Sequence, residues 1–133
     1  TEEDTVFQFS NIPLFHVLAE RKSIYAAVPY FDVCPDSVAE EAAAQLRENP
    51  PKLVLFHEMG EWRWELHENI FRSGRPSGQR GILEFYRECV VPSYQLLGRF
   101  ETNTGEDICL WKRMDRMKGG SRANGTAGKY KKI

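Results

Sequence analysis

The sequence predicts an α/β fold: a mixed, mostly parallel sheet covered by helices and closed by a C-terminal antiparallel hairpin. Three observations predict it. Strand-like and helical segments alternate along the chain, which calls for parallel strands joined by crossover helices. Pro50-Pro51 breaks a helical run and is followed by KLVLFH (residues 52–57), a short apolar run that reads as a strand covered on both faces. Near the C-terminus, Thr102-Asn103-Thr104-Gly105 separates two strand-like runs and signals a hairpin. At 133 residues the chain has the length of one domain, with residues 1–113 as the α/β unit and 114–133 as a tail.

Residues 5–9 alternate β-branched and aromatic side chains and predict the first strand. Ser10 or Asn11 can cap a following helix, Pro13 is tolerated in a first turn, and Leu14, Phe15, Val17 and Leu18 have helical spacing. Residues 23–33 read as a loop with a short strand over 30–33. Asp36 is placed to cap the clearest helix, SVAEEAAAQLREN, where alanine gives high propensity and Glu40 and Glu41 lie near the positive end of the dipole. That helix must end before Pro50. After the KLVLFH strand, a short helix is expected over 62–71, then a loop, RSGRPSGQRG, then a helix over 82–90 ended by Pro92. The runs SYQLLGRFE and DICLWKRM form the hairpin. The predicted order is β-α-β-α-β-α-β-β, without an internal repeat.

Composition excludes several classes of protein. Hydrophobic content of 41% and charged content of 28% are ordinary for a packed globular chain. No apolar stretch approaches the roughly 20 residues of a membrane span, and the acidic opening TEEDTVFQF is not a secretory signal. The chain begins at Thr1 rather than Met, as expected of processing or of a piece cut from something longer. The net charge of −1 is uneven. Residues 114–133 carry six Lys or Arg against Asp115, so the tail is +5 and the rest −6. Such a glycine-rich basic tail is expected to lack a packed structure. It can meet anionic lipid, or it can be a plain solvated terminus. The acidic body argues against nucleic-acid binding. Cys34, Cys89 and Cys109 have no CxxC spacing, so no zinc site is expected; free buried thiols are the default, though one pair could be bridged.

The residues with chemical potential are few. His57-Glu58 ends a predicted central strand, and open α/β sheets bind ligands beyond the carboxyl ends of their strands. His67-Glu68 follows ten residues on, but the spacing is not that of HExxH, so no metal is expected. A hydrogen-bonded strand-end histidine is the plainer reading. Cys34 precedes a helix N-terminus, which lowers a thiol pKa; the alternative is a structural thiol. GxGxxG and GxxxxGK[ST] are missing, and no cofactor is expected. Arg72, Arg75 and Arg80 can meet an anion or lie on a solvated loop. Trp62 and Trp64, with Phe71, Arg63 and Arg72, suit a sugar or flat ligand, or they pack a helix onto the sheet. The candidate ligand contacts are therefore Asn11, His57, Glu58, Trp62 and Trp64.

Three stretches taken together, DTVFQFSNIPLFHVLAERKS, PYFDVCPDSVAEEAAAQLRENPPKLVLFHE and YQLLGRFETNTGEDICLWKR, resemble the C-terminal soluble domain of polytopic membrane glycosyltransferases. These enzymes use polyprenyl-phosphate-linked sugars and are related to protein mannosyltransferases and the lipid A aminoarabinose transferase. The shared pattern lies in Asn11 to Arg21, in Leu46 to Lys52 with Val54 to Phe56, and in Trp111 to Arg113. The resemblance implies an extracytoplasmic domain at the cell membrane. Its partners would be the membrane-embedded part of the same polypeptide and a polyprenyl-phosphate sugar or glycan acceptor. The family's catalytic carboxylate lies between membrane helices, so the resemblance places no catalytic residue on this chain. The basic tail departs from the family pattern. The alternative is a free-standing, cytoplasmic α/β binding or interaction module, dimeric in one version; a small enzyme using His57 or Cys34 is the third reading.

Overall fold

The computed structural model describes residues 5–9, 20 and 34–115. The expected helix after Asn11, the strand over 30–33 and the tail from 116 onward lie outside the described residues, and so does Asn11 itself. The described order is β1 (Val6–Phe9), α1 (Asp36–Glu48), β2 (Leu53–Glu58), α2 (Glu61–Arg72), α3 (Arg80–Phe85, continuing through a π-helical turn, Tyr86–Val90, and a last turn, Val91–Ser93), β3 (Tyr94–Glu101) and β4 (Asp107–Arg113).

The strands form one mixed sheet in the order β1-β2-β4-β3. β1 runs parallel to β2, with Phe9 opposite Phe56. β4 inserts between β2 and β3 and is antiparallel to both. The mixed sheet, the covering helices and the closing hairpin are those the sequence predicts. Among the described strands one ladder is parallel and two are antiparallel, because the hairpin places β4 at the centre and so contributes both antiparallel ladders.

Alternation along each strand assigns side chains to faces. Val54, Phe56 and Glu58 share one face with Phe7, Phe9, Cys109 and Trp111, and the core lies there. An aromatic row crosses it. Trp64 stacks on Phe9 at 6.0 Å, Phe9 on Phe56 at 4.8 Å and Phe56 on Tyr86 at 3.8 Å, and Trp111 meets Tyr86 edge-on. On the opposite face Leu53, Leu55 and His57 are half-buried, so β2 is fully covered on one face only.

Local chemistry explains the helix positions. Pro35, not Asp36, holds the N-cap position of α1 and makes no side-chain cap. Asp36 is the first helical residue, and its carboxylate is engaged by the Gly78 N–H at 2.8 Å and by Arg72. Gly78 is required at this crossing, since a Cβ would come within 2.9 Å of the Asp36 backbone. Ala43 of α1 approaches Gly81 of α3, where an added Cβ would sit 3.3 Å away. Among the described residues no helix is long and apolar enough to cross a membrane.

Candidate functional site at the end of strand β2

His57 and Glu58 are consecutive on a strand, so they point to opposite faces and belong to two different networks. The His57 Nε2 lies 3.0 Å from the Glu106 Oε2, and the Arg63 Nη1 reaches the same oxygen at 3.0 Å. Thr104 Oγ1 stands 3.4 Å from it. The Glu106 side chain is 7% exposed, and its second oxygen is buried without a partner. This carboxylate ties the hairpin turn to β2 and to the first turn of α2.

On the core face, Glu58 accepts a 2.6 Å hydrogen bond from the Tyr86 hydroxyl through Oε1. Its Oε2 meets Arg99 at 3.1 Å, and Arg99 pairs in turn with Asp107 at 2.6 Å. The Trp111 Nε1–H donates to the same Tyr86 oxygen at 3.0 Å. Burial first, and then the Glu58 carboxylate, push the Tyr86 phenol far above its ordinary value. Burial and the Glu58 charge likewise push the Cys109 thiol up to about 11, so Cys109 is a neutral core thiol at physiological pH. Glu58 therefore anchors β2 to α3 and β3. Tyr86→Phe removes the hydroxyl that joins Glu58 to Trp111 while keeping the ring. It is expected to cost about 1–2 kcal/mol in a urea titration.

Each charge at this strand end already faces an opposite one: Arg63 meets Glu106, which His57 also contacts, while Arg99 meets Glu58 and Asp107. A ligand would have to displace a protein partner, so the arrangement serves best to lock the sheet end. His67 lies with its ring 5.8 Å from Phe71. Among the described residues no group of three or more His, Cys, Asp or Glu is arranged to hold a metal.

The two tryptophans separate completely. Trp64 is 1% exposed and Trp62 is 60% exposed. Positions i and i+2 lie about 200° apart on a helix, so they cannot share a ligand platform. Arg63 lies over the Trp62 ring at 5.5 Å and Arg80 over the Trp64 ring at 5.5 Å. Two of the three loop arginines are engaged by the protein's own carboxylates, and Arg75 donates to the Arg72 carbonyl oxygen at 3.3 Å. Arg80 grips Glu68 through two bonds of 2.7 and 2.8 Å and meets Glu61 at 2.7 Å, while Arg72 pairs with Asp36. All three cysteines are free.

Sequence reasoning missed Tyr86, Arg99, Glu106 and Asp107 at this end, and Glu68 as a buried anchor. Glu106-Asp107 follows directly on the hairpin turn, and a hairpin register drawn from that turn would have set Asp107 opposite Glu101. Pairing β4 with β2 as well, which puts Asp107 opposite Glu58, has no comparable local signal.

Comparison with protein-family models, with curated proteins and with solved structures finds no match.

Proposed function

We propose that the chain is a protein-interaction module whose contact surface is the outward face of α2. One observation carries this reading: α2 shows a line of large apolar side chains to solvent while it buries a carboxylate. Its inner face buries Trp64 and Glu68, the latter held by Arg80. Its outer face shows Trp62, Leu66 and Ile70, four residues apart in turn, at 60%, 46% and 62% exposure, with Phe71 at its edge. Residues at that spacing form one stripe. An exposed apolar stripe on a helix whose other face is already buried against the core fits helix docking. Tryptophan and arginine, adjacent here as Trp62 and Arg63, are the residue types that most often carry binding energy.

The simplest partner is a second copy, since two-fold dimers are the commonest oligomers and such an interface is self-complementary. The 12-residue helix is about 18 Å long. Its stripe supplies only part of the roughly 800 Å² per partner of a standard interface, so a weak, concentration-dependent dimer is expected. Sedimentation equilibrium tests it. The wild-type chain should shift from monomer to dimer across the micromolar range, and Leu66→Glu with Ile70→Glu should stay monomeric. Because both sites are exposed, the variant's stability should change by less than about 1 kcal/mol. A wild-type chain that remains monomeric into the millimolar range overturns the dimer.

The pattern shared with the polyprenyl-phosphate-sugar glycosyltransferases supports a second reading, in which this face docks onto the membrane-embedded part of the same polypeptide. Apolar segments of about 20 residues encoded in frame with this chain support it; a gene without them sinks it.

A further inference from the structure

At the other end of the sheet, where β2 begins and β4 ends, a cavity of about 720 Å³ opens between the Pro50 turn, the last turns of α3 and the end of β4. That volume lies within the roughly 300–1,000 Å³ of small-molecule sites. Its walls are largely apolar: Pro50, the half-buried Cys89, the Tyr94 ring and Met114. Tyr94 is 7% exposed, and its hydroxyl donates to the Pro51 carbonyl oxygen at 2.6 Å, so this wall is fixed in place.

One cation is built into the lining. Arg113, the last residue of β4, is held by main-chain acceptors on both its groups: its N–H donates to the Lys52 carbonyl oxygen at 2.8 Å, and its Nη1 to that of Pro50. These bonds position the guanidinium without neutralising it. Arg47, Arg63, Arg72, Arg80 and Arg99 each meet a carboxylate, whereas Arg113 meets none among the described residues. A guanidinium carries five N–H donors in a planar fork, so Arg113 keeps donors for an acceptor from outside. Asp115 also lines the cavity, but it is exposed and forms no ion pair with Arg113; water and salt screen its repulsion of an anion.

We propose that this cavity binds a small organic acid, its carboxylate on the Arg113 guanidinium and its apolar body against Tyr94, Cys89 and Met114. A carboxylate is the acceptor whose geometry matches the guanidinium fork, and a charge-assisted pair is stronger than a neutral hydrogen bond. Selectivity needs both halves of the site. A neutral analogue uses the walls and forfeits the ion pair, and a bare inorganic anion does the reverse. Because the Pro50 carbonyl already holds Arg113, binding has little protein left to order. The Cys89 thiol, on the lining and free, reports occupancy, since a bound acid covers it. Cys34, outside the lining and also free, is the internal comparison.

Phenylbutyrate and its neutral amide, phenylbutyramide, are titrated into the full chain by calorimetry. The acid should bind saturably and about ten-fold or more tighter than the amide, the ratio expected of one charge-assisted pair. Arg113→Gln should weaken the acid by a similar factor and abolish its advantage over the amide. Arg87→Gln, which removes an exposed arginine outside the lining, should leave the Kd within about two-fold, as a screened surface charge does. Asp115→Asn should not weaken binding. Saturating acid should slow N-ethylmaleimide labelling of Cys89 several-fold and leave Cys34 unchanged, each read by mass spectrometry. Should Arg113→Gln not fold by circular dichroism, Arg113→Lys takes its place; it keeps the charge, loses the planar fork, and should weaken the acid several-fold. The proposal is overturned by any of four results: no saturable binding into the millimolar range, equal affinity for acid and amide, a Kd indifferent to Arg113, or protection at Cys34 equal to that at Cys89.

Discussion

Trp64→Ala is expected to lower stability by about 3–5 kcal/mol, while Trp62→Ala, two residues away, should change it by less than about 0.5 kcal/mol. Trp64 lies under α2 with 1% of its surface exposed, stacked on Phe9 with an interplanar angle of 7° and with Arg80 over its ring. Removing the indole opens a cavity at the end of the aromatic row that no neighbour can close, because Phe9 is already held by Phe56. Trp62 instead rests over Gly60, where an added Cβ would come within 2.8 Å of the ring, and its outer surface meets solvent. Urea unfolding of both variants separates the two roles. Equal losses would contradict the placement of α2. If the α2 face binds a second copy, Trp62→Ala weakens dimerisation while leaving monomer stability intact.

Glu68→Leu should cost about 2–4 kcal/mol. The Glu68 side chain is 7% exposed, and it accepts from Arg80 Nε at 2.7 Å, Arg80 Nη2 at 2.8 Å and the Ser77 N–H at 2.7 Å. The substitution leaves Arg80 with Glu61 alone and the buried Ser77 N–H without an acceptor, so the loop between α2 and α3 loses its anchor. Glu68→Gln keeps an acceptor and should lose less. The same pair predicts a pH dependence. The Arg80 hydrogen bonds, and then the Ser77 N–H, hold the Glu68 carboxyl below its ordinary value of 4.5 against the opposing effect of burial. A depressed carboxyl contributes stability that is fully present above the unfolded value and is lost as pH falls through the folded one. Denaturation midpoints measured from pH 7 down to pH 3 should therefore fall more steeply for wild type than for Glu68→Leu. Asp36, lowered by the Gly78 N–H and Arg72, acts in the same direction and remains in both proteins.

Much of the fold was legible because its signals are local. Pro50-Pro51 ends α1 wherever the helix lies in space, since proline lacks the N–H and disfavours a helical residue before it. Alanine-rich α1 and the Thr102–Gly105 turn are similarly independent of context. The site was less legible. Trp62 and Trp64 looked like one cluster because both are aromatic, although helical geometry alone places them on opposite sides. His57 and Glu58 looked like one unit because they are adjacent, although a strand sends them to opposite faces. Their partners, Glu106 for His57 and Tyr86 with Arg99 for Glu58, are 28 to 49 residues away in the chain.

By itself the sequence determined that α1 stops before Pro50, that a hairpin closes the chain, and that strands and helices alternate; it set the end of the third helix at Pro92, which the structure places inside the last turn, Val91–Ser93. Those choices follow from backbone propensity and short-range hydrogen bonding within a few residues. Only the tertiary structure decided that β4 lies between β2 and β3, that Glu58 pairs with Tyr86 and Arg99, and that α2 turns Glu68 inward and Leu66 outward. Such outcomes depend on which distant charge is available to neutralise a buried one. Arg80, twelve residues beyond Glu68, makes its burial possible.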